Sequence, residues 1–120
     1  MKIVRDSTGI QNQSAFGANT SGTFGTFPAS DTTPSVLSGN LWKTHASEQT
    51  LTTFDDGIVG QIITVISTAA VTFDVTSTTL KGGSTDIVTA SGDVTNWVYD
   101  GTNWYLINFM DVSADLSGGH

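Results

Sequence analysis

Eleven acidic residues supply the most obvious material for chemistry, and their spacing decides what they could do. Asp55-Asp56-Gly57 could offer oxygens to calcium, and Asp74, Asp86, Asp93 and Asp100 could pair as the two carboxylates of a glycosidase. No Asp-x-Asp-x-Asp-Gly spacing exists, however, and Asp56, Asp93 and Asp100 each stand beside Gly. An Asp in that setting hydrogen-bonds its own backbone and shapes a turn, which is the simpler reading. His45 and His120 are the only histidines, and His120 closes a Ser-Gly-Gly tail. A triad built on His45 would need a nucleophilic serine, and no Gly-x-Ser-x-Gly elbow frames one. Lys81-Gly82-Gly83-Ser84 has a lysine but neither the spacing nor the following helix of a phosphate-cradling loop. With no cysteine, disulfides, thiolate chemistry and Cys-ligated zinc are excluded. The residues therefore predict no catalytic group, no metal and no cofactor. What remains is surface and association.

Only 12% of residues are charged, against about 25% in an ordinary globular protein. The net charge of −7 repels phosphate backbones and anionic lipid, so nucleic acid and membrane surfaces are poor partners. No run of apolar residues approaches a membrane span, and the polar amino terminus has no apolar signal core. The reading is a chain made as a soluble cytoplasmic product.

Threonine makes up roughly one residue in six. Thr, Val and Ile are stiff at the β-carbon and suit a pleated strand better than a helix, so the fold class is all-β. Candidate strands are Val36–Leu37 with Leu41–Lys43, then Thr50–Phe54, Gln61–Ile66, Val71–Val75, Asp86–Thr89, Val94–Tyr99 and Trp104–Phe109. Turn signals punctuate them at intervals near ten residues, which describes short antiparallel strands in a sandwich, barrel or β-prism. Val71–Val75 alternates strictly and points Thr72 and Asp74 outward. Gln61–Ile66 and Trp104–Ile107 are apolar on both faces, and so small a domain has little material to cover a second face. Association with other copies is the economical answer, and a closed ring would also remove exposed strand edges. The interface predicted from this comprises Ile62, Val65, Trp97, Trp104, Leu106 and Phe109.

Residues 97–107, WVYDGTNWYLI, form the densest aromatic stretch. A four-residue loop, Asp100 to Asn103, would pair Tyr99 with Trp104, Trp97 with Leu106, Val98 with Tyr105 and Val94 with Phe109; a two-residue loop would oppose Trp97 to Trp104. Either register puts large apolar groups on both faces of the ribbon. Trp97 and Trp104 thus read as packing rather than as a sugar platform, with Tyr99 and Tyr105 showing polar tips to water.

Ahead of the strands, residues 1–34 are rich in Gly, Ser, Thr, Asn and Gln and cannot bury enough surface to fold alone. Phe16, Phe24 and Phe27 are more than a linker needs, and suggest an extended arm, up to ~100 Å long, pinned onto another surface. The organisation expected is an arm over 1–34, a β-domain over 35–112 and a flexible tail over 113–120.

The order of motifs in residues 50–109 resembles trimeric β-domains of bacteriophage virion proteins, found especially at the carboxy-terminal ends of tail spikes and tail fibres. The resemblance rests on Leu51 and Phe54, Gly57, Gly60 and Gln61, the aliphatic run Ile62–Ile66, Gly92 and Asp93, and Tyr99–Trp104 at the last bend. It implies a homotrimer on the virion surface. Tail-spike versions end chains of several hundred residues, whereas this chain begins at Met1 with only an arm. That departure favours a small capsid decoration or head-fibre protein, bound to the major capsid protein through its arm and stabilising the shell. The alternative is a tail-fibre or tail-spike module for trimerisation or for recognition of a host surface glycan. A non-viral lectin and a self-assembling β filament complete the set.

Overall fold

The computed structural model of the chain describes residues 24–37 and 39–112. Among them are nine strands: β1 (Gly25–Thr26), β2 (Leu41–Lys43), β3 (Gln49–Leu51), β4 (Ile62–Ile66), β5 (Val71–Phe73), β6 (Leu80–Lys81), β7 (Ile87–Thr89), β8 (Val94–Tyr99) and β9 (Trp104–Met110). They form a six-stranded sheet, in the order β1-β2-β4-β8-β9-β6, and a three-stranded sheet, β3-β5-β7. The Phe73 ring of the small sheet lies 5.4 Å from the Trp97 ring of the large one, so the two sheets share one interior. The all-β sandwich expected from composition is the fold.

The pairing differs from the antiparallel arrangement expected. β1 with β2, β2 with β4, β6 with β9 and β3 with β5 are all parallel. From β2 to β8 each strand lies in the opposite sheet from the one before it, so sequence neighbours mostly face each other across the core. Gly- and Asp-rich turn signals look the same whether the chain folds back in plane or crosses to the other sheet. Only β8 and β9, of the strands described, form a hairpin.

Alternation within strands places the core. The pattern along Val71–Val75 buries Val71, Phe73 and Val75 and leaves Thr72 and Asp74 partly exposed, as the sequence predicts. Ile63 and Val65 from β4 and Trp97 and Trp104 from β8 and β9 meet Leu51, Val71 and Phe73 from the small sheet. Hydroxyls satisfy the polar groups trapped there. Ser67 and Thr89 share a 2.7 Å bond, Thr89 also donates to the Val71 carbonyl, and the Trp97 indole donates to Thr95. The threonine bias thus serves strand propensity and core satisfaction together.

The arm boundary requires correction. Phe16 lies outside the described residues, but Phe27 is buried in the chain's own core, stacked on Trp42 and 6.0 Å from Phe54. Its amide donates to the Lys43 carbonyl, extending the contact begun by β1. Further along, Val36 is buried, and the Asp55 amide donates to the Pro34 carbonyl. The segment from Gly25 onward is therefore part of the sandwich. Its low apolar content misleads because Phe27 seats in a slot built by Trp42 and Phe54, while Gln49 and Thr52 donate to the carbonyls of Pro28, Asp31 and Thr32. Phe24 remains half-exposed, with the Lys43 ammonium 5.4 Å above its ring.

Phe27→Ala should lower stability by ~3–5 kcal/mol, the cost of a vacated core phenylalanine. Removal of residues 1–34 should fail to leave a stable sandwich. Urea unfolding followed by near-ultraviolet circular dichroism checks both, and unchanged midpoints would restore the arm boundary at residue 34.

Candidate functional site

The aromatic hairpin adopts the four-residue loop. Tyr99 pairs with Trp104, Val98 with Tyr105 and Trp97 with Leu106. Asp100 makes the turn: its amide donates to the Asn103 carbonyl, and its Oδ1 accepts from the amides of Thr102 (2.8 Å) and Asn103 (2.7 Å). Gly101 follows with φ of 100°, a conformation natural to glycine. The amides of Asn103 and Thr102 hold the Asp100 carboxyl below its ordinary range. Past Leu106 a β-bulge intervenes, so Phe109 faces Thr95 and Met110 faces Val94 in place of the expected Phe109–Val94 pair. The extra residue is Ile107, which no motif in the sequence announces.

Both tryptophans face inward. Trp104 stacks on Tyr99 at 4.7 Å and meets Phe54 edge-on at 5.3 Å, while its indole donates to the Phe54 carbonyl. Trp97 meets Phe54 at 5.9 Å. The loop between β3 and β4 closes over this stack at Gly57, where a Cβ would come within 2.6 Å of the Trp104 ring. Gln61, wholly buried, fastens the loop: its Oε1 accepts from the Ile58 amide, and its Nε2 donates to the carbonyls of Val36 and Gly39. That fastening role was not legible in the sequence, although Gly60-Gln61 belongs to the motif order that carried the resemblance.

Of the six residues expected at an interface between copies, four pack into the chain's own interior. Val65, Trp97 and Trp104 are fully buried within one chain, and Leu106 packs against the same core. The small sheet covers one face of β4 and β9, which leaves only the other for an outside partner. Ile62 and Phe109 do stand exposed, at 48% and 36%. With Tyr105, Ile107 and Met110 they make up much of the exposed large apolar surface. Tyr105 reaches solvent as expected, whereas Tyr99 is half-buried and turns its hydroxyl to the Gly101 carbonyl.

Two of the residues weighed for catalysis meet: Asp74 and Asp86 hydrogen-bond through their side chains. His45 accepts the Ser47 amide at Nδ1 in a loop, and Asp93 is buried in a turn where it accepts the Ala90 amide. The hydroxyl and then the amide of Thr76 hold Asp74 below the ordinary carboxylate range, opposite to the shift a general acid needs. Among the described residues, no three His, Asp or Glu side chains gather to hold a metal. A cavity of about 310 Å³ beside the small sheet is lined by Glu48, Gln49, Thr50, Ala70 and Thr72, without an aromatic ring on which a sugar could stack.

A family model described as the phage depolymerase C-terminal beta sandwich domain matches residues 19–105. The chain belongs to this family. The match makes it a β-domain of a phage virion tail protein, and its start at residue 19 agrees with a sandwich that begins well before residue 35. No curated protein and no solved structure matches the chain.

Two outcomes follow from the hairpin and its loop. Gln61→Ala should cost ~1–3 kcal/mol, because it strips partners from groups held against the core. Asp100 has a depressed carboxyl pKa when folded, so its contribution is complete above the ordinary carboxylate range and fades as pH falls through the folded value. Asp100→Asn keeps an acceptor oxygen but does not titrate. The gap between the urea midpoints of wild type and Asp100→Asn should therefore narrow from pH 7 to pH 2.5; a gap independent of pH would contradict the assignment.

Proposed function

We propose that this chain is a non-enzymatic assembly module of a phage tail spike or tail fibre, working as a homotrimer on the virion surface. The observation that carries the reading is the family match over residues 19–105, which comprise most of the sandwich. Two features of the molecule support it. His45, Asp93 and Asp100 each shape their own turn, and Thr76 holds Asp74, which meets Asp86, below the ordinary carboxylate range. Apolar side chains on the large sheet, Ile62 and Ile107 among them, are left for another surface to cover. The partners on this reading are two further copies and the remainder of the tail.

Attachment to a capsid shell has less behind it. It drew on a free arm pinned by Phe16, Phe24 and Phe27, and Phe27 is committed to the chain's own core. Recognition of a host glycan by Trp97 or Trp104 loses its residues to the same core.

Multi-angle light scattering on the full chain tests the assembly. The expected mass is three times that of the 12.6 kDa chain, maintained into the low micromolar range. A single-chain mass at every concentration would overturn the proposal.

A further inference from the structure

The outer face of the large sheet is distinguished by its charge as well as by its apolar residues. Its cross-strand register builds rungs. Ile62, Val98, Tyr105 and Lys81 lie side by side across β4, β8, β9 and β6. Lys43, Ile66, Val94 and Met110 form another rung across β2, β4, β8 and β9. Between them Thr64 donates to Asn96, which donates to Asn108, so the polar rung is satisfied within the sheet. None of the six strands contains an Asp or Glu, whereas Lys43 and Lys81 flank the face. The acidic residues of the described chain lie in turns, at strand ends and beside the small sheet.

This face continues around an unguarded edge. β6 covers β9 only at Trp104 and Tyr105, and from Leu106 to Met110 no strand lies beyond β9 among the described residues. Edge strands are ordinarily protected by charge, proline or brevity. Here the open stretch carries Ile107 (51% exposed), Phe109 and Met110 (53% exposed), with no charged residue. The bulge at Ile107 is the only irregularity that interrupts the edge.

The geometry points to a second copy of this chain as the occupant of this surface, with the contact running from Ile62 and Tyr105 on the face to Ile107, Phe109 and Met110 on the edge. The inference rests on the assembly reading above and specifies where it happens. Charge selects the partner. Copies with a net charge of −7 repel unless they meet through a patch of low negative charge, and the strands of this face carry Lys43 and Lys81 and no Asp or Glu, with Asp100 (bonded to Tyr105) and Asp111 only at its rim. A patch that wraps an edge also suits a three-fold arrangement, in which the edge of one copy meets the face of the next. Leu37, Ile58 and Val59, equally apolar and exposed, sit on loops near Asp55 and Asp56 and lack that neutrality.

Light scattering across a dilution series tests the assignment on the full chain, with Ile107→Lys and Met110→Lys compared against Leu37→Lys and Val59→Lys. All four sites are solvent-exposed, and circular dichroism should report an unchanged fold in each variant. The β9 variants should need about tenfold or more protein to assemble, whereas the loop variants should match wild type. Assembly of the wild type should tighten as salt is raised from low to physiological ionic strength, because screening weakens the repulsion between copies. A wild-type assembly that the β9 substitutions leave intact, or that the loop substitutions dissociate, would place the contact elsewhere and leave the assembly reading standing. A wild type that never assembles would overturn both.

Discussion

Phe54 is the point on which the rest of the sandwich depends. Its ring lies within 6.0 Å of Phe27, Trp97 and Trp104, and its carbonyl receives the Trp104 indole proton. Those three partners come from the first strand region and from both arms of the final hairpin, so a single loop residue joins the first and last parts of the described sandwich. Aromatic contacts of this kind add ~0.5–1.5 kcal/mol each beyond area burial. Against a net stability on the order of 5–15 kcal/mol, losing several at once would exhaust the fold. Gly57 and Gln61 serve the same cluster, one by allowing the loop to close on Trp104, the other by tying that loop to the carbonyls of Val36 and Gly39.

The division of labour between the sheets follows from this arrangement. The small sheet gives its inner face to the core and its outer face to Thr50, Thr72 and Val88. The large sheet keeps a second apolar surface, with its own polar rung already satisfied. Built this way, the domain folds Phe27, Phe54, Phe73, Trp97 and Trp104 inward and leaves Ile62, Tyr105, Ile107 and Met110 exposed on the large sheet. The two sets of residues are interleaved on the same strands: in β4, Ile63 and Val65 face in while Ile62 faces out.

Much of this was legible in the sequence because alternation and turn chemistry act locally. The Asp100 turn gave one of two registers considered, and Val71–Val75 disclosed which side was wet. The failures share a physical origin in long-range geometry. Parallel pairing arises because the chain switches sheets, which no turn residue records. Gly25–Thr26 and Leu80–Lys81 are strands only because β2 and β9 offer edges to pair with. Phe27 read as part of an arm because its slot is built by Trp42 and Phe54, both distant in sequence. Trp97 and Trp104 read as interface because the small sheet that covers them could not be placed.

The central claim is that the aromatic cluster is the interior of a single chain, and that copies meet elsewhere. Tryptophan emission tests it most directly in a Trp42→Phe background, where only Trp97 and Trp104 report. Emission should stay blue-shifted, and acrylamide quenching weak, in the assembled protein and in the monomeric Ile107→Lys form alike. A red shift with strong quenching on dissociation would put the tryptophans at the contact between copies and contradict the account.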